Sequence, residues 1–148
     1  MNLQETVKFT GDVSVVVYNP ATGEVKDRRE IKNLVVTAGK QYIASRMVGT
    51  SANVMSHMAL GSGTTAAAAG DTALQSELGR VALTTGTAAG AVVTYTATFG
   101  AGTATGAVTE AGVLNAASAG TLLCRTVFAV VNKGADDAMA ITWAITAS

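Results

Sequence analysis

The chain has 148 residues, of which 49% are hydrophobic and 14% are charged, and its formal net charge at pH 7 is zero. This composition excludes a disordered chain and predicts one domain, residues 1–148, with a substantial core. The neutral balance gives no electrostatic footprint for nucleic acid or an anionic membrane, and it favours association of copies. No apolar run is long enough to predict a membrane span.

The first part of the chain predicts two strands. Residues 6–18 alternate apolar and polar side chains, as in a strand buried on one face. Pro20 and Gly23 predict a turn, and a polar strand follows at 24–31. The charged cluster Lys26–Glu30 indicates a solvated sheet edge, because charges there discourage pairing with another sheet.

Two short helices are predicted in the middle of the chain. Thr37 is a suitable N-cap for a helix over about 38–48, which Gly49 would end. A short strand at 55–60 and a small-residue loop at 61–70 follow. Asp71 would cap a second helix with Leu74 and Leu78 on one face and Gly79 after its last turn.

From Arg80 onward the pattern predicts strands near 80–86, 91–99, 107–114, 121–131 and 138–147. Residues 121–131 are apolar on both faces apart from Arg125 and two threonines, which fits a central strand or one whose outer face is covered by a partner. The predicted fold class is mainly β: a two-sheet antiparallel sandwich, jelly-roll-like, with one or two short helices.

Four charges are isolated in the long, weakly charged second half, namely Glu77, Arg80, Glu110 and Arg125. An unpaired buried charge is very costly, so any that face inward should be paired. We expect Glu110 to pair with Arg80 or Arg125 at a strand–strand or subunit contact. The alternative is four unrelated surface charges, since Glu and Arg are seldom fully buried.

No catalytic, metal or cofactor site is predicted. His57 is the only histidine and Cys124 the only cysteine, and neither has a partner that the spacing identifies. A structural role is expected for both. The single cysteine and the polar N-terminal segment, which has no signal-peptide pattern, predict synthesis in a reducing cytoplasm.

An ordered series of short segments carries a resemblance to a family. The series comprises Asn33–Lys40, Met58–Thr65, Ala69–Glu77 with Arg80, Val108–Val113, Leu123–Phe128, Val131–Gly134 and Ile141–Trp143. In this order the segments resemble small virion structural proteins of tailed bacteriophages. That group includes capsid cement, or decoration, proteins and related tail and baseplate proteins. The similarity covers roughly residues 31–146.

The resemblance implies a non-enzymatic virion component that is made in the bacterial host cytoplasm. The leading hypothesis is a capsid cement protein that lies on the outer head surface and binds the major capsid protein. A tail or baseplate/fibre-associated protein and a carbohydrate-binding receptor module are the alternatives. A homodimer is expected, with a trimer as the alternative. The expected interface residues are Val93, Tyr95, Phe99, Leu123, Val127, Gly61 and Gly63, with loop 61–70 and an arm at residues 1–6.

Overall fold

A computed structural model describes residues 3–50 and 52–148, which form nine strands and one helix. The chain order is β1 (Phe9–Tyr18), β2 (Val25–Val35), α1 (Thr37–Met47), β3 (His57–Gly61), β4 (Glu77–Ala82), β5 (Thr85–Ala89), β6 (Val92–Phe99), β7 (Gly106–Leu114), β8 (Leu122–Lys133) and β9 (Ala138–Ala147).

The strands form one antiparallel sheet in the order β4-β3-β7-β8-β2-β1-β9-β6-β5, curled into a half-barrel. Strand β2 joins its two halves. Its pairing with β1 is long, from Gly11 opposite Asn33 to Tyr18 opposite Val25. Its pairing with β8 is limited to two residues, Leu34 and Val35, beyond which the two strands have no further paired positions. The prediction of a mainly β fold is confirmed.

The concave face of the sheet holds the main core. Alternate residues of β1 point inward, so Val13, Val15 and Val17 are almost fully buried. They share one cluster with Met58 of β3 and Trp143 of β9, from both halves of the sheet. Complete burial of such a side chain contributes roughly 1.5–3 kcal/mol. The alternation in the sequence therefore identified the inward face correctly.

Helix α1 closes over the concave face, with Tyr42 and Ile43 packed against the core. Gly39 permits the approach, because a Cβ there would lie 2.1 Å from the carbonyl oxygen of Leu123. The expected N-cap differs: Val36 occupies that position without a side-chain hydrogen bond. The backbone N–H of Thr37 instead donates to the carbonyl oxygen of Ala69.

A second, smaller core lies on the convex face of the sheet. It contains Val36, Ala59, Leu74, Leu114 and Leu122. The chain segment 62–76 covers this core and contains no helix, so the predicted second helix is wrong. Because this segment covers β7 from outside, Val108–Leu114 is buried on both faces.

The strand predicted at 80–86 is also corrected. It is two strands, β4 and β5, separated by a bend at Leu83 and Thr84. The Leu83 N–H donates to Ser56, before β3, and the Thr84 N–H donates to Thr96 of β6. The bend therefore transfers the chain from one end of the sheet to the other, and β4 and β5 become its two terminal strands.

Candidate functional site

The candidate site is the segment 62–76 together with the two buried charges beneath it. Glu110 of β7 and Arg125 of β8 point to the convex face, where their exposed fractions are 0% and 2%. Neighbouring strands bring them together: Glu110 lies opposite Val127, and Arg125 lies opposite Gly112. The segment above them supplies the remaining partners of both side chains.

The Glu110 carboxylate is an acceptor for three backbone N–H groups of the covering segment. Oε1 accepts from Gly63 at 2.9 Å and from Ser76 at 2.7 Å, and Oε2 accepts from Gln75 at 2.9 Å. Burial by itself raises the pKa of this carboxyl. The three N–H donors and Arg125 outweigh burial and hold the pKa below its ordinary value, so Glu110 is ionised at neutral pH.

Arg125 connects the same carboxylate to a second acid. Its Nε donates to Glu110 Oε2 at 2.9 Å, and one terminal nitrogen donates to Asp71 Oδ2 at 2.9 Å. The other terminal nitrogen donates to the carbonyl oxygen of Thr65 at 3.0 Å. Asp71 Oδ2 also accepts the N–H of Ala68 at 2.9 Å. The guanidinium therefore holds segment 62–76 at two points, Thr65 and Asp71.

Two glycines make room for this arrangement. A Cβ at Gly61 would lie 2.5 Å from Glu110 Oε1, and one at Gly63 would lie 2.6 Å from the same atom. Gly63 would also place its Cβ 2.5 Å from that of Gln75. Both glycines are buried. Gly61 and Gly63, which were expected at an interface, face the buried carboxylate of Glu110 in the folded chain.

The tip of the segment is exposed but held in place. Thr64–Ala66 and Ala68–Gly70 are exposed. Thr65 and Gln75 bond to each other twice, from the Thr65 N–H to Oε1 at 3.0 Å and from Nε2 to the hydroxyl at 2.8 Å. A cleft of about 270 Å³ beside the tip is lined by Thr64, Ala66, Ala67, Lys32, Asn33, Leu34, Arg125, Thr126 and Val127.

The other two candidate charges pair with each other. In β4, a terminal nitrogen of Arg80 lies 2.7 Å from Oε1 of Glu77. Arg80 also donates to the carbonyl oxygens of Ala116 and Ala119. Arg80 thus holds the 115–120 turn and does not pair with Glu110. Of the two arginines that the sequence offered as partners of Glu110, the structure selects Arg125.

The remaining interface candidates divide into two groups. Phe99 and Leu123 are core residues of the chain, with 0% and 4% exposure, and so present almost no surface to a partner. Val93 and Tyr95 are half-buried and line an apolar cavity of about 160 Å³ beneath α1. Burial raises the pKa of Tyr95 to about 12. Val127 is half-buried at the cleft beside the 62–76 segment.

The two nucleophile or ligand types singled out in the sequence take no part in the hydrogen bonds of this site described above. His57 in β3 has its Nδ1 2.8 Å from the hydroxyl of its neighbour Ser56. Cys124 is fully buried, and burial raises the pKa of its thiol. Within residues 3–50 and 52–148, no group of three or more His, Cys, Asp or Glu side chains is placed to bind a metal ion. No helix in these ranges is long and apolar enough to cross a membrane.

Chemically, the site supplies rigidity. Four donors bond to the carboxylate oxygens of Glu110, and Arg125 directs its three nitrogens to three internal acceptors. Sequence reasoning missed Asp71 and Gln75 as members. The sequence did offer one signal for pairing: the four isolated charges Glu77, Arg80, Glu110 and Arg125 sum to zero.

Comparisons with protein-family models, with curated proteins and with solved structures found no match for this chain.

Proposed function

We propose that this chain is a non-enzymatic virion structural protein of a tailed bacteriophage. In its most specific form, the proposal is a capsid cement protein that binds the outer surface of the head and stabilises the shell. Its partners are the major capsid protein and a second copy of itself. It is made in the cytoplasm of the bacterial host and ends on the capsid surface.

One observation carries the proposal: the segments that resemble virion proteins converge on the anchored 62–76 segment. Gly63, Asp71, Gln75, Glu110 and Arg125 all lie in those segments, and all belong to the buried hydrogen-bond network. The resemblance therefore concerns a physical unit, an exposed tip on a rigid base. Binding residues on a loop that is positioned by a rigid scaffold are a common arrangement.

The physical demands on a cement protein agree with this unit. Many copies bind one shell, so each contact can be modest while the lattice gains stability through multivalency. A preorganised tip loses little conformational entropy on binding. The tip Thr64–Gly70 is uncharged and built from Thr, Ala and Gly, which suits close contact with another protein surface.

The carbohydrate-binding alternative is disfavoured by the placement of the aromatic rings. Sugar-binding sites commonly offer an exposed ring for stacking. Trp143 and Phe99 are buried, and the other five aromatic residues of the described chain are only half-exposed at most. A tail or baseplate protein uses the same kind of rigid β-domain, so location on the virion separates it from a cement protein.

We also infer a finer description of the fold. Strands β1, β9, β6 and β5 with part of β2 form one half of the curled sheet, and β4, β3, β7 and β8 form the other. Residues from both halves meet in one core. This arrangement supports a sandwich-like description of the half-barrel, for which a high-resolution experimental structure is the test.

The location test is gold labelling of intact virions with an antibody to this chain. Label spread over the head supports a cement protein, whereas label confined to the tail or its tip overturns that proposal. A second measurement is cosedimentation of the purified protein with heads that lack it. We expect saturable binding to heads, followed by slower loss of shell integrity on heating.

A matched pair of variants tests the role of the tip. Ala66→Glu adds a charge to the exposed tip, and Ala101→Glu adds the same charge to the exposed turn after β6. Both should fold normally. We expect Ala66→Glu to weaken binding to heads at least tenfold and Ala101→Glu to leave it unchanged. Equal binding of the two variants would remove the tip from the contact surface.

A further inference from the structure

Strand β5 presents an edge of the sheet with no backbone partner. It is the last strand in the sheet order and pairs on one side only, with β6, from Thr85 opposite Thr96 to Ala89 opposite Val92. All five of its residues are exposed. In the described part of the chain, no other backbone group bonds to Thr85–Ala89. Such an edge is a template for an added strand.

The other open edges of this sheet carry charges that discourage an added strand. Strand β4, at the opposite end, has the Glu77–Arg80 pair. The opening between β2 and β8 is crossed by Arg29, which binds Asp27 and the carbonyl oxygens of Ala129 and Val130. Strand β5 has the sequence Thr-Gly-Thr-Ala-Ala and no charge. It is thus the one terminal strand of the described sheet without this protection.

We infer that β5 pairs antiparallel with β5 of a second copy, about a two-fold axis at Thr87. In this register Thr87 lies opposite its own counterpart, Thr85 lies opposite Ala89, and Gly86 lies opposite Ala88. Every pair is small, and no like charges meet. Thr–Thr pairs across antiparallel strands are favourable. Self-pairing about an axis is also the commonest interface symmetry of homo-oligomers.

The surroundings of the strand favour a second copy of this chain over a charged partner. The formal net charge is zero, so two copies approach without long-range repulsion. Beside β5 lies an apolar cavity of about 300 Å³, lined by Val54, Met55, Val93 and Tyr95 among others. Val54 is 61% exposed. A two-strand contact alone is smaller than the ~800 Å² per partner of a standard interface, and this apolar wall extends it.

The inference deepens the self-association in the proposed function, but its test uses the free protein. Dimer formation is measured without heads, and binding to heads is measured separately. A monomer that binds heads would overturn only the pairing of β5. A dimer that binds no heads would overturn only the cement function.

The experiment uses charge reversal at the two-fold axis. Thr87→Lys and Thr87→Glu each place like charges opposite one another in a homodimer, so sedimentation equilibrium should show the dimer Kd raised at least tenfold for each. An equimolar mixture places Lys opposite Glu, and we expect the dimer to return. Thr142→Lys, at an exposed site on the interior strand β9, is the matched control and should stay dimeric.

Three results would overturn the inference: a monomeric unmodified protein at micromolar concentrations, a Thr87→Lys variant that dimerises like the unmodified protein, or a mixture that fails to restore the dimer. Thr87 is exposed, so thermal unfolding of the variants should match that of the unmodified chain at protein concentrations low enough for all of them to be monomeric. If one variant does not fold, the other still reports the effect of like charges at the axis.

Discussion

Strand β8 meets an arginine at each of its two ends, and the two arginines have different effects. Near the start of the strand, Arg125 is 2% exposed and bonds to two carboxylates and a carbonyl oxygen. Near its end lies Arg29 of β2, whose side chain is 33% exposed. Its Nε and one terminal nitrogen donate to the two carboxylate oxygens of Asp27, each at 3.0 Å. Arg125 holds segment 62–76 in place, whereas Arg29 fills the opening between β2 and β8.

The two ion pairs differ in what happens to their partner groups when the pair is lost. The buried pair of Arg125 with Glu110 also holds backbone groups of segment 62–76, because Glu110 accepts three of its N–H groups and Arg125 donates to the Thr65 carbonyl oxygen. These groups lose that partner if the network is lost. At Arg29 the contacts to Ala129 and Val130 are long, 3.3 and 3.4 Å, and water can substitute for them. Similar ion pairs therefore differ in importance because of burial and of the backbone donors that depend on them.

The largest expected effect follows from Glu110→Ala. The change leaves Arg125 buried without its main counter-ion and removes the acceptor of three N–H groups. Breaking a buried pair costs about 3–5 kcal/mol, so we expect a loss of that size or complete unfolding in urea titrations. Asp12→Ala, which breaks the exposed ion pair with Lys32, is the matched control, with an expected loss below about 1 kcal/mol. Similar losses for both would contradict the assigned role of burial.

The double variant Glu110→Leu with Arg125→Met sharpens this result. Apolar replacement of a buried ion pair is often neutral or stabilising. Here we expect no recovery, because the N–H groups of Gly63, Gln75 and Ser76 would still lack an acceptor. Urea titration of the double variant checks this. Full recovery would mean that the charge pair, and not the backbone donors, determines the effect.

A smaller loss is expected for Gly63→Ala. The added Cβ meets Gln75 and Glu110 at 2.5 and 2.6 Å, and such overpacking costs about 1–3 kcal/mol. Hydrogen exchange should rise in segment 62–76 more than in the central strands. Gly70→Ala is the control, since nothing lies within 4 Å of its added Cβ. Protection that changes equally in both variants would contradict a specific clash at Gly63.

The pH dependence of stability gives a third comparison. The pKa of Glu110 is lower in the folded chain than in the unfolded chain, where it has its ordinary value near 4.5. Its contribution is therefore complete above that value and is lost as the pH falls through the folded pKa. We expect unfolding free energy to fall more steeply below pH 4.5 for the unmodified protein than for Glu110→Gln. Parallel curves would contradict the lowered pKa.

The smallest effect on stability is expected for Arg29→Ala, below about 1 kcal/mol, because the pair is partly exposed. Its consequence should be association. Removing the inward-pointing charge leaves β2 and β8 with open edges, so light scattering at rising concentration should detect larger species. Lys32→Ala, which removes an exposed pair of the same strand with Asp12, should not aggregate. An Arg29→Ala variant that scatters no more than the unmodified protein would show that the opening needs no charge.

The sequence predicted the elements whose signal is local. Strand β9 spans 138–147 as its alternation predicted, and α1 begins within one residue of the expected start. The second helix failed because the N–H groups near Gln75 and Ser76 bond to Glu110, which lies more than thirty residues later in the chain. No local pattern reports such a distant acceptor.

The interface residues show the same limit. Leu123 lies in a run that is apolar on both faces, which allowed a partner on its outer side or a central position. On the outer face Leu122 packs with Leu74 of the chain's own segment 62–76, whereas Leu123 belongs to the main core on the inner face, and β8 pairs with β7 within the sheet. A pattern of apolar residues reports that a face is covered and does not report which part of which molecule covers it.

Because Cys124 is buried, the unmodified chain does not react with thiol reagents while it stays folded. Its side chain is fully buried and its pKa is raised, so the reactive thiolate forms only when the strands around it separate. The rate of labelling in native buffer therefore measures how often the core opens. It also leaves any newly introduced surface cysteine as the single fast-reacting position for attaching a probe.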